Sequence, residues 1–227
     1  MAPRMKTRDR IVQTSLELFN QQGERNISTN HIAAHMDISP GNLYYHFPNK
    51  QAIIAVLFGE YEARLDSFLH LPPGRAVTVD DQRFYLKSVL AAMWGYRFLY
   101  RDLEQLLGND PELAFSYRRF SQRCLNQGHA IYSGFVKAGI LAMDKVQIES
   151  IVINAWIVLT SWVRFLGTMR EDSTHLSERA IKRGVYQVLA LEVGFITPAA
   201  RAEIDALIDE FYVPLEQALE EVPSQVQ

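Results

Sequence analysis

The sequence predicts an all-α protein in which a small N-terminal helical unit, residues 1–50, is joined to a larger C-terminal one, residues 51–227. Three observations carry this expectation. Apolar residues recur every three to four positions along nearly the whole chain, the period of a helix with one buried face, and no stretch alternates as a half-buried strand does. Ser28 and Ser39 each open a short helical pattern, so two short helices follow one another across a tight turn. The cluster Pro72-Pro73-Gly74, inside His70–Val79, is the one strong linker signal, and the pattern beyond it is helical again.

The first predicted helix covers 8–22, with Ile11, Val12, Leu16 and Phe19 at helical spacing and Gly23 as its stop. Ser28 suits the cap of a second helix over 29–36, because its hydroxyl can accept an orphan backbone N–H. Ile32, Ala33 and Met36 make that helix's apolar face. Asp37-Ile38 breaks the run. Ser39-Pro40 then restarts it, with serine as cap and proline at the first helical position, where its missing N–H costs nothing. Leu43 and Phe47, one turn apart, pin this third helix to a core. Asn49-Lys50 opens a fourth over 50–69, about 30 Å long, which connects the two units as a rod.

At 100° per residue, the face opposite Leu43 and Phe47 carries Gly41 and Tyr45, flanked by Asn42, Tyr44 and His46. A helix that turns a glycine, an amide and aromatic hydroxyls outward is not satisfying a core. It has what reading a DNA major groove requires: close approach at Gly41 and an Asn42 amide able to pair with adenine. Thr29 and Asn30 fall where the second helix would meet the DNA backbone, Ser39 opens the reading helix, and Lys50 at a helix N-terminus suits a phosphate. The pattern is a helix-turn-helix, and the partner it implies is double-stranded DNA.

These residues resemble the DNA-binding domain of the tetracycline-repressor (TetR) family of bacterial transcription regulators. The resemblance rests on Ile11, Leu18-Phe19 and Gly23, on Ser28-Thr29, Ile32-Ala33 and Ile38-Ser39, and on Leu43-Tyr44, His46-Phe47 and Lys50. It covers about fifty residues strongly. One departure stands at the turn, where the family usually has glycine and this chain has Asp37; aspartate tolerates the left-handed conformation better than most residues. The resemblance implies a dimeric repressor on a palindromic operator, released when a small molecule binds the C-terminal domain and changes the spacing of the two heads. No nucleophile–base pair, phosphate loop or carboxylate dyad stands out at diagnostic spacing in the chain, so neither enzymatic activity nor a cofactor is expected. The stretches Asn20–Glu24, Ile38–Phe47 and Tyr96–Leu103 are similar to regulators of polyhydroxyalkanoate metabolism within the family, which implies an acyl or fatty-acid-derived effector.

Composition agrees with a globular regulator. The 227 residues are 48% hydrophobic and 22% charged, with net charge −3, so the surface as a whole is not a nucleic-acid binder. Residues 1–50 nevertheless carry +2, six basic against four acidic residues, which leaves −5 for the rest; the basic arm Arg4–Arg10 either follows a phosphate backbone or is a solvated tail. The single cysteine, Cys124, excludes an intramolecular disulfide and reads as a small buried residue. His31 and His35 have the spacing of a metal pair but no third ligand, so no metal site is expected. No leader is evident at the N-terminus, and the apolar stretch 151–169 is broken by Asn154 and Arg164. The expectation is a cytoplasmic protein without a membrane span.

After the linker, helices are expected over 80–100, 102–107, 111–141 with a kink near Gly128 or Gly134, 145–169, 177–195 and 198–221, the last bent at Pro214. The aromatic run around Met93, Trp94, Tyr96, Arg97 and Tyr100 reads either as core or as an effector pocket, being apolar with a few polar groups. Helix 145–169 has two largely apolar sides, one including Asn154 and Ser161, the other Val152, Leu159 and Trp162. Both must be covered, by a pocket and a subunit interface or by a monomeric core. With Ile181, Val185, Val188 and Leu189 of the next helix, the second side is the candidate dimer interface.

Overall fold

A computed structural model describes residues 5–169 and 176–220. The arm before residue 5, the expected breaker at 171–173 and the tail from 223 lie outside the described residues. The described chain is all-α: α1 (Thr7–Gln22), α2 (Thr29–His35), α3 (Pro40–His46), α4 (Lys50–Asp66), α5 (Val79–Gly95), α6 (Arg97–Asn109), α7 (Pro111–Lys137), α8 (Lys145–Thr168), α9 (Glu178–Glu192), α10 (Arg201–Phe211) and α11 (Leu215–Leu219). Nothing among these residues forms a strand beyond one isolated bridge between Leu141 and Ile196.

The local signals near the N-terminus fold as their chemistry dictates. Ser28 Oγ accepts from His31 N, Ser39 Oγ from Asn42 N, and Asn49 Oδ1 from Ala52 N, so each cap satisfies a donor its helix cannot. Asp37 takes the left-handed conformation at φ 54°, which closes the turn without a glycine. Ile11, Phe19, Ile32, Leu43, Phe47 and Ile53 meet in a fully buried core under the three short helices.

Two expected helices are divided, one where the sequence offered no clear stop and one at the proline expected only to bend it. The pattern over 80–100 breaks at Tyr96, and α6 extends to Asn109 instead of covering only 102–107. The break is capped from a distance: Asn20 Nδ2 of α1 donates to Gly95 O at 2.7 Å, and Asn20 Oδ1 accepts from Phe98 N at 3.1 Å. One buried amide thus replaces two lost helical bonds. The last pattern separates into α10 and α11, because Pro214 supplies no donor and the chain runs extended just before it.

α8 and α9 form the tightest pair in the body. A Cβ on Gly184 would sit 2.3 Å from Trp162 Cδ1, so glycine is needed for this approach, and Trp162 Nε1 donates to Ala180 O at 2.7 Å. The end of α9 is tied to the α7–α8 loop by Ala142 N to Phe195 O and Thr197 N to Ile140 O.

Candidate nucleic-acid interface and ligand cavity

Leu43 and Phe47 hold α3 from beneath, and the opposite face is open. Tyr45 is 85% exposed, and Gly41 and Asn42 stand beside it at the surface. The nearest atom to a Cβ built on Gly41 is Ser39 Oγ at 3.9 Å, so nothing crowds the backbone there. Tyr44 OH lies 3.0 Å from Thr29 Oγ1, which locks α3 to α2 and brings Thr29 and the neighbouring, exposed Asn30 onto the same side. The His46 ring packs edge-on against Tyr45 at 5.1 Å. Ser39 is engaged through its hydroxyl as the α3 cap. His31 Nδ1 is turned to Asn26 O at 3.2 Å, and no group of three potential metal ligands occurs among the described residues.

Lys50 departs from the expected phosphate contact. Its ammonium lies 2.6 Å from Glu24 Oε1 and donates to Glu24 O at 3.0 Å and Ile27 O at 2.9 Å. Three acceptors match its three hydrogens, and the group points into the head. The reason is Glu24, a carboxylate only 4% exposed that needs a cation beside it. The same corner docks the head onto α6. Arg101 Nη2 donates to Phe19 O at 2.6 Å, Asp102 Oδ2 accepts from Glu24 N at 3.4 Å, and Asp102 pairs with Arg25 at 3.4 Å.

Above the head, α4 to α9 surround a cavity of about 150 Å³. Of the aromatic run singled out in the sequence, Tyr100 lines it. Met93 and Tyr96 are buried elsewhere, and Trp94 and Arg97 pack on each other, with the guanidinium 4.3 Å from the ring centre. Asn154 is exposed and Ser161 half-buried, and neither lines the cavity. The candidate interface is corrected more sharply. Val152, Leu159, Val185 and Val188 face the cavity, while Trp162, Ile181 and Leu189 are buried within the protomer, where α8 packs on α9. The side of α8 left outside is another one, carrying Val146, Ile153, Ile157 and Phe165, with Ile157 53% exposed. By length and composition α8 could cross a membrane, yet Glu149, Asn154 and Arg164 interrupt this outer side.

Sequence reasoning missed the cavity's polar end. Tyr132 OH donates to Glu192 Oε1 at 2.5 Å, and Gln82 Nε2 donates to Glu192 Oε2 at 2.5 Å. Burial pushes the Glu192 carboxyl up to about 7, against the pull of these two bonds. The available signal was a glutamate continuing the apolar face of Ile181, Val185 and Val188. Elsewhere on the wall Tyr61 OH and Tyr100 OH meet at 2.5 Å, and burial lifts both hydroxyls above the usual tyrosine range. Cys124 is buried in the wall, its thiol pushed up to about 12, which leaves it unreactive.

Two family models match this chain. The one described as "Bacterial regulatory proteins, tetR family" covers residues 11–57, and the one described as "Bacterial transcriptional repressor" covers residues 60–204. Among solved structures, a TetR-family transcriptional regulator from Marinobacter aquaeolei VT8 is 47% identical with a TM-score of 0.84, covering 92% of this chain and 100% of that one. The HTH-type transcriptional regulator UidR of Escherichia coli K12 is 38% identical over 63 residues, 27% of this chain and 32% of UidR. The tetracycline repressor protein class C of Escherichia coli is 31% identical over 96 residues, 42% of this chain and 41% of that protein. The matches thus span about a third of the one curated relative and about two fifths of the other.

Proposed function

This chain belongs to the TetR family of bacterial transcriptional regulators, DNA-binding proteins rather than enzymes, and on that premise we propose that it is a ligand-responsive repressor binding a palindromic operator as a homodimer in the cytoplasm. The observation that carries the reading is a physical link between cavity and head. Tyr100 lines the cavity from α6, and α6 grips α1 two residues before it, through Phe98 N with Asn20, and one residue after it, through Arg101 with Phe19 O. Tyr100 also meets Tyr61 of α4, the helix that leaves the head. A ligand that displaces this hydroxyl pair shifts α6 and α4 together. That gives it the differential contact a coupling free energy requires.

Within this proposal Tyr45, Asn42 and Gly41 read bases, while Thr29, Asn30, Ser39, Tyr44 and His46 set the helix on the duplex. Two heads on a two-fold axis supply the specificity one lacks. The dimer face is assigned to the outer side of α8, since Val146, Ile153, Ile157 and Phe165 follow helical spacing and the polar residues among them argue against a bilayer. The effector takes the cavity, and its acyl or fatty-acid origin rests on the resemblance of three short stretches.

The test is selection of genomic fragments with purified protein, followed by gel-shift titration. A palindromic site is expected, and Tyr45→Ala should weaken binding to it by about 1–3 kcal/mol per half-site with unchanged thermal stability. No enriched site, or full affinity in the variant, would remove α3 from its role.

A further inference from the structure

The cavity wall is apolar apart from a few groups, and the protein itself satisfies most of them. Tyr85 OH donates to His70 O at 2.7 Å, Thr160 Oγ1 to Trp156 O at 2.7 Å, and Tyr61 and Tyr100 bond each other. The exception is the end formed by Gln82, Tyr132 and Glu192. Gln82 is 3% exposed and Glu192 1%. Tyr132 spends its hydrogen on Glu192, and Glu192 fixes the orientation of the Gln82 amide by accepting from its nitrogen. Among the described residues no group donates to the buried Gln82 Oε1. Each Glu192 oxygen has accepted one bond and can accept another. At this end, among the described residues, the second hydrogen of Gln82 Nε2 is the spare donor; the one hydroxyl hydrogen left over by the Tyr61–Tyr100 pair and the Cys124 S–H belong to other parts of the wall. Among the described residues no lysine, arginine or histidine lines the cavity.

We infer that the effector is an apolar molecule with a hydrogen-bond-donating head, a hydroxyl or an amine, seated against Gln82 Oε1 and Glu192, and that it carries no free carboxylate. The inference rests on the effector reading above and narrows it: an acyl-derived compound fits as an alcohol or amide, not as an acid anion. A donor at the Gln82 oxygen satisfies an acceptor whose isolation is costly in an apolar wall. A carboxylate there would set two like charges together in a low dielectric with no cation to offset them. The apolar body is accommodated by Leu86, Val152, Val185 and Val188, in a space of the size that holds a small hydrocarbon.

The experiment is calorimetric titration of the DNA-free protein with octan-1-ol, octylamine and octanoate at about pH 8.5, where the Glu192 carboxylate is ionised. The alcohol or the amine should bind at least about tenfold more tightly than octanoate, and Glu192→Gln should shrink the gap between octylamine and octanoate by about tenfold. Gln82→Met, which removes the open acceptor without adding charge, should weaken octan-1-ol by about fivefold or more. Octanoate binding as tightly as the others overturns the inference, as does binding of none of the three. So does an unchanged gap in folded Glu192→Gln together with full octan-1-ol affinity in Gln82→Met. These readouts need no operator, so a failed operator selection would sink the regulator reading and leave the ligand preference standing, and the converse holds.

Discussion

In the head, α1–α3 bury Ile11, Phe19, Leu43 and Phe47 and leave Asn42, Tyr44 and Tyr45 outside; in the body, α8 leaves Ile153, Ile157 and Phe165 outside while Gln82, Tyr132 and Glu192 are held within. The head follows the ordinary polarity of a small domain, and its exposed polar groups face water until something polar replaces it. The body inverts that polarity twice. An apolar outer strip is stable only when covered, and a buried carboxylate only when its hydrogen bonds are supplied. Departures from ordinary polarity mark the surfaces proposed to work in the body, whereas in the head the proposed surface is an ordinary polar face, recognisable by its residue types.

Three measurements would break or sharpen this contrast. The largest effect is expected at the outer strip. Ile157→Glu sets a repeated, unpaired charge in the proposed two-fold interface, so sedimentation equilibrium should find a monomer, with operator affinity reduced about a thousandfold or more toward nonspecific binding. A dimer of undiminished affinity would mean that α8 is covered by something else. The next concerns Lys50, an inward-facing cation of the head. Lys50→Ala should cost roughly 2–4 kcal/mol in urea unfolding, because it strands Glu24, while the salt slope of DNA binding stays the same. A slope reduced by about one, with stability intact, would return Lys50 to the phosphates.

The smallest effect is a pH dependence at Glu192. Its folded carboxyl titrates near 7 rather than at its ordinary 4.5, so the folded state holds the proton more tightly than the unfolded chain. Stability is therefore greatest below the unfolded value and declines as pH rises through the window between the two, by about 3 kcal/mol in all. Comparing unfolding of wild type and Glu192→Gln across that window isolates the effect. Parallel curves would show that the buried carboxylate is better solvated than its surroundings indicate.

Much of the head was legible because its determinants lie close together in the chain. Ser28, Ser39-Pro40 and Asn49 cap helices through bonds to residues three positions on, and Asp37 closes its turn through its own backbone torsions. Helical period likewise identified the all-α class and most helix spans of the body. The position of Lys50 at a helix start indicates a phosphate, but its partner Glu24 is brought up by the fold and holds the ammonium 2.6 Å away, which no local pattern shows. The break at Tyr96 was invisible for the same reason, its cap being Asn20, which is 75 residues away from Gly95.

By itself, then, the sequence determined the fold class, the helix proposed to read DNA and the polar face it presents, since caps, turns and helical period act over a few residues. Only the tertiary structure decided which side of an apolar helix faces a neighbour, a cavity or the outside. A helix with apolar residues on two sides carries no local mark of what will cover each; the packing of α8 on α9, set by Gly184 and Trp162, turned Val152, Val185 and Val188 inward to the cavity and Ile157 outward. The cluster of Gln82, Tyr132 and Glu192 joins three helices, and its chemistry exists only once they meet.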